Sequence, residues 1–122
     1  FNFWAHNMTT TIWHNPRCSK SRQTLALLEE RGKSPVVRLY LDDAPSTSEV
    51  AEVLQQLGIE PWELLRRGEK VFKELGLDKD AADEALVEAM SANPILIERP
   101  IVINGGGAAL GRPPESVMRL FD

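Results

Sequence analysis

One cysteine and two histidines are all the thiol and imidazole that this chain of 122 residues contains. No intrachain disulfide can form. His14 and Cys18 without acidic companions also fall short of the three or four ligands a metal site needs, so no metal is expected. Basic residues are scarce as well: 14 Lys and Arg stand against 18 Asp and Glu, for a formal net charge of −4. A general nucleic-acid binder would carry a basic face or stripe, so any anion has to be met by a local cluster. No apolar run approaches the roughly 20 residues of a membrane span, and the start lacks the basic region followed by an apolar stretch of a signal peptide. These absences point to a reducing, cytoplasmic setting, with neither nucleic acid nor membrane as a partner.

What remains is an ordinary globular balance, 43% hydrophobic and 26% charged. A chain of this length buries roughly two-thirds of the surface it exposes when unfolded, enough to hold without a staple. Residues 1–7 show neither the helical nor the strand period. They read as an added leader before a native start at Met8, which leaves residues 8–122 as a single domain.

Thr9 to His14 has the β-propensity of a strand, and Asn15-Pro16 ends it because proline has no N–H for the ladder. From about Ser19 the positions of Leu25, Leu27 and Leu28 suit a helix that stops at Arg31-Gly32. Pro35 to Leu41 is a β-branched and aromatic run, read as a second strand parallel to the first. Ser46 with Glu49 forms a capping box for a helix through Leu57, stopped by Gly58, with Val50, Val53, Leu54 and Leu57 as its buried stripe. Shorter helices follow: one with Pro61 in its first turn, one around Val71 to Leu75 ending at Gly76, and one from about Asp80 to Ala92. Trp62 at the start of the first reads as core. Ile101 to Ile103 is a third strand, Gly105 to Gly107 a reversal, Ala108 to Gly111 an antiparallel fourth strand, and Pro113 opens a last helix through Leu120. The glycine run has no Lys-Ser/Thr after it and is not a phosphate loop.

The order is βαβ, helices, ββα. It is the α/β plan of a thioredoxin-like fold, a mixed four-stranded sheet with a helical insert over about residues 46–92. That plan places a cis proline before the third strand, which predicts a cis Arg99–Pro100 bond with Cys18 as its spatial neighbour.

Cys18 stands where a strand has ended and a helix begins. Unpaired backbone N–H groups and the positive end of the helix dipole stabilise both a thiolate and a bound oxyanion there. Arg17, Lys20 and Arg22 crowd it with positive charge, the setting of a reactive rather than a buried structural thiol. Ser21 occupies the place where a dithiol oxidoreductase would carry its second cysteine. Once oxidised or derivatised, Cys18 must therefore be restored by an outside thiol. His14, as imidazolium, would favour the thiolate; as a neutral ring it would hydrogen-bond in the loop. Asn15 reads as turn chemistry before proline, Ser21 as a thiolate donor or helix cap, and Arg22 as either facing the site or pairing with an acid.

The segments His14-Asn15-Pro16-Arg17-Cys18-Ser19-Lys20-Ser21-Arg22, Glu63-Leu64-Leu65-Arg66-Arg67, Asn93 to Val102 and Gly111-Arg112-Pro113-Pro114-Glu115 together resemble the glutaredoxin-dependent arsenate reductases, closest to the branch with Cys-Ser-Lys-Ser at its centre. The likeness runs from Met8 to the C-terminus. It implies that Cys18 is a nucleophile forming a thiol–arsenate adduct, that glutathione attacks the adduct as co-substrate, and that glutaredoxin reduces the mixed product to release arsenite. It implies no bound cofactor, a role for His14 in tuning the thiolate, and Arg66, Arg99 and Arg112 as the anion-binding arginines, with Arg67 the competing choice to Arg66. Elementary chemistry agrees: a tetrahedral oxyanion wants planar donor forks on several sides, and arginine supplies them without deprotonating.

Two other readings use the same residues. A redox-responsive regulator of the same superfamily, binding RNA polymerase, would use C-x-x-C, and Ser21 removes that switch. A glutathione-dependent thiol reductase acting on small conjugates would need Cys18 but no set of arginines.

Overall fold

The computed structural model describes residues 9–122, and the expected leader over residues 1–7 and the start at Met8 lie outside them. Two compact units make up the chain: residues up to Tyr40 together with Arg99–Asp122, and the intervening Leu41–Glu98.

The first unit is built on β1 (Thr10–Trp13), which lies inside a four-stranded sheet of order β2-β1-β3-β4. β2 (Val36–Arg38) pairs with it in parallel, and β3 (Ile101–Asn104) antiparallel, with Ile12 opposite Val37 and Val102. β4 (Gly107–Leu110) closes the sheet antiparallel to β3. The intervening α1 (Ser19–Glu30) provides the crossover between the parallel strands. Ile12, Leu28, Val102, Ala109 and Val117 form its buried cluster. This is the expected thioredoxin-like arrangement of a mixed sheet with helices.

Two elements differ from what the residue pattern predicts. The apolar run Pro35 to Leu41 yields only three strand residues, and Val36 and Val37 are exposed. β2 is an edge strand, and beyond Arg38 the chain turns so that Tyr40 stacks beside Trp13, their ring centroids 6.4 Å apart. The last helix (Pro114–Phe121) is a 3-10 helix. Its first bond runs from Ser116 N–H to Pro113 O, 3.0 Å, in the tighter i→i+3 pattern. The Arg99–Pro100 bond is cis, as the fold plan requires, and so is Arg112–Pro113.

The second unit holds the expected helices. α2 (Thr47–Leu57) carries the reciprocal Ser46–Glu49 capping box and ends at Gly58 with φ 70°. α3 (Pro61–Leu64), α4 (Lys70–Leu75) and α5 (Asp83–Ala92) follow, and Val50, Val53, Leu64, Leu86 and Met90 are buried. α5 begins later than Asp80 because Asp78 folds a turn there: its carboxylate accepts from Asp80 N at 2.8 Å. An isolated bridge, Leu65 to Ile97, is flanked by Arg66 N–H to Leu96 O at 2.7 Å and Glu98 N–H to Leu64 O at 2.9 Å. Among the described residues no helix is long and apolar enough to cross a membrane.

Candidate active site

Asn15 and Pro16 turn the chain out of β1 and into α1. The Asn15 side-chain oxygen accepts from Arg17 N at 3.0 Å, and its backbone oxygen accepts from Cys18 N at 3.0 Å. This is the turn role expected of Asn15. The turn delivers Cys18 as the N-cap of α1, with φ −94° and ψ 122°, beside the unpaired N–H groups of the first helical turn.

The thiol's acidity follows from what surrounds it. Burial on its own pushes the Cys18 thiol up. The backbone N–H of Ser21, the side chain of Arg99 through a hydrogen bond and its charge, and the backbone N–H of Lys20 outweigh that, and hold it below the ordinary thiol value. Helix-end donors and one arginine thus do the work that sequence alone assigned to Arg17, Lys20 and Arg22. The Arg17, Lys20 and Arg22 side chains are exposed. Arg22 folds back to donate from Nη1 to Pro16 O at 2.9 Å, so it holds the turn.

Arg99 and Arg112, 13 residues apart in sequence, are brought to Cys18 together by the β3–β4 pairing. Arg112 donates from Nη2 to Cys18 Sγ at 3.6 Å and from Nε to Arg99 O at 2.7 Å. One guanidinium therefore spans the thiol and the backbone of the other arginine. Arg112 is exposed, while Cys18 itself is buried.

Behind the thiol lies a buried polar knot. Ser21 is fully buried; its hydroxyl accepts from Asn15 N at 3.0 Å and shares a hydrogen bond of 2.6 Å with His14 Nδ1. Burial first, and the charge of Arg22 second, hold the His14 imidazole below its ordinary value. At neutral pH the ring is therefore uncharged, which selects the hydrogen-bonding alternative of the two foreseen for it. Ser21 contributes twice: its backbone N–H to the thiolate, its side chain to the loop.

Arg66 belongs to the second unit. Its Nε donates to Glu69 at 3.2 Å and its Nη1 to Glu98 at 2.8 Å. Burial opposes its charge, and the Glu98 and Glu69 carboxylates more than offset that. Arg67 instead lies over the Trp62 ring, 4.8 Å from its centroid, and Trp62 also meets Phe72 edge-on at 5.9 Å.

The ring packing at Gly111 was not foreseen. Gly111 continues the β3–β4 ladder by one step, donating to Pro100 O at 2.9 Å. A Cβ built there would press on Thr24 Oγ1 and lie 2.7 Å from Pro100 Cγ. The glycine of Gly-Arg-Pro-Pro was the available signal, but a glycine in a sequence does not say what it makes room for.

The model of the ArsC family matches residues 13–120. A Haemophilus influenzae protein named arsenate reductase is 45% identical over 93% of this chain and 100% of its own length. One from Neisseria meningitidis serogroup B, of the same name, is 47% identical over 87% of this chain and 92% of its own. Among solved structures, an arsenate reductase from Vibrio cholerae superposes with TM-score 0.89 at 50% identity, covering 93% of this chain and 98% of that one.

Proposed function

Because the chain belongs to the ArsC family, we propose that it is an arsenate reductase that draws its electrons from glutathione and glutaredoxin. The observation that carries this reading is the pair Arg99 and Arg112 gathered on the one thiol, Cys18, whose acidity is raised by Arg99 and the helix-end N–H groups. The arsenate reductase names carried by relatives nearly half identical in sequence support the substrate.

In the proposed cycle the Cys18 thiolate attacks arsenic(V) and an arsenate oxygen leaves as water, giving a Cys18–S–As adduct. The guanidinium groups of Arg99 and Arg112 neutralise the oxygens of arsenate while the helix-end N–H groups hold the thiolate. Glutathione then displaces a second oxygen as water. A glutaredoxin thiolate takes the glutathionyl sulfur, and the electron pair of the broken As–S bond stays on arsenic, reducing it to arsenic(III). Hydrolysis releases arsenite and returns Cys18. No second thiol of this chain enters the cycle, as its single cysteine requires. No bound cofactor is needed by this chemistry.

Purified protein incubated with arsenate, glutathione and a glutaredoxin should release arsenite in proportion to enzyme, and Cys18→Ser should abolish the release. No arsenite above the blank, or undiminished release by Cys18→Ser, would remove the proposal.

A further inference from the structure

We propose that Gly111 is a positioning residue: the missing side chain sets the distance between α1, which carries Cys18, and the β3–β4 end that carries Arg99 and Arg112. The proposal deepens the reading of the site given above and rests on it only for its kinetic consequence.

Three parts of the first unit meet at this residue. Gly111 N–H is bonded to Pro100 O, 2.9 Å, one step past the end of β4. The space where its Cβ would stand is occupied from one side by Thr24 of α1, with Cγ2 at 3.1 Å and Oγ1 closer, and from the other by Pro100 Cγ at 2.7 Å. Its φ is not in the left-handed region, so glycine is required here by space and not by backbone conformation.

Neither neighbour can give way. Thr24 is fully buried, β-branched, and tied by its hydroxyl to Lys20 O at 2.8 Å within its own helix. Pro100 is buried and is a rigid ring. An added methyl must therefore move α1 away from the Pro100–Gly111 pair as a body.

That motion falls directly on the site. Cys18 is the N-cap of α1, six residues before Thr24. Arg99 precedes Pro100, and Arg112 follows Gly111. The Arg112 Nη2 to Sγ contact is 3.6 Å, already at the long end for a sulfur acceptor, so a further half ångström forfeits most of it. The Arg112 Nε to Arg99 O bond lies on the far side of the contact and moves with both arginines, so the two arginines would retreat from the thiol together.

The test is the pH dependence of Cys18 alkylation by iodoacetamide, which needs no turnover and reads one thiol because the chain has one cysteine. Gly111→Ala should move the midpoint upward by about one pH unit and slow alkylation below the midpoint by about tenfold. Thr24→Ala in the same chain removes Oγ1 and Cγ2 and should bring the midpoint part of the way back, with Pro100 Cγ still in place. Should Gly111→Ala alone not fold, the double variant is compared with Thr24→Ala and keeps a raised midpoint. A folded Gly111→Ala that titrates like the unaltered protein overturns the proposal, and where that variant does not fold, so does a folded double variant that titrates like Thr24→Ala. Arsenate turnover that is absent from every variant and from the unaltered protein overturns the proposed reaction instead, and leaves the titration result standing.

Discussion

Arg112 touches Cys18 with one end of its guanidinium and the backbone of Arg99 with the other, at 3.6 Å and 2.7 Å. The relationship ties the thiol to both arginines through one side chain. In the proposed reaction an approaching oxyanion would meet a thiolate and its counter-charges already in place, which lowers the cost of charge reorganisation during attack.

Arg112→Ala should reduce kcat/KM for arsenate by about 10- to 100-fold, the worth of one charge-assisted hydrogen bond. Arg112→Lys should recover only part of that, since lysine keeps the charge but cannot hold Sγ and Arg99 O at once. Steady-state kinetics with saturating glutathione and glutaredoxin would measure both. Equal activity of Arg112→Lys and the unaltered protein would mean that charge alone matters.

Ser21→Ala leaves His14 Nδ1 and Asn15 N–H without the hydroxyl that joins them in the buried knot. Stranding buried polar groups costs about 1–3 kcal/mol. Denaturant unfolding should show that loss. Ser21→Cys, unfolded in excess reductant so that it cannot pair with Cys18, restores a weak partner of similar size and should recover part of it.

His14 makes stability fall on mild acidification. Burial, and then the charge of Arg22, hold its folded value below the ordinary 6.5, so between those two values the unfolded chain binds more protons. The His14 contribution is fully present above about pH 6.5 and is lost as pH falls from there toward the folded value. Thermal unfolding measured from pH 7.5 to 5 should show a declining midpoint. His14→Gln should flatten that decline, although at pH 7.5 it is less stable.

Much of this was readable from the residues. Ser46 with Glu49, and Gly58 and Gly76 after their helices, gave boundaries because capping is local chemistry between residues a turn apart. Cys18 at a helix start was legible for the same reason. Its partners were not local. The charges crowding Cys18 in sequence, Arg17, Lys20 and Arg22, leave its acidity to two backbone N–H groups and to Arg99, 81 residues away, which only strand pairing brings near. Pro35 to Leu41 reads as a full strand because hydrophobic runs do not reveal which strand will lie at the edge. The last helix is 3-10, while Pro113-Pro114 marks where a helix starts and is equally compatible with either winding.

Protection of Cys18 by arsenate tests the central claim most directly. If the thiolate and its two arginines form the oxyanion site, arsenate should slow iodoacetamide alkylation of Cys18 in a saturable way. The effect should be lost in Arg99→Ala and Arg112→Ala, with phosphate as the near-isosteric comparison. Alkylation that proceeds at the same rate with and without arsenate, in a protein whose thiol reacts below the ordinary thiol range, would leave a reactive cysteine without an oxyanion site and contradict the account.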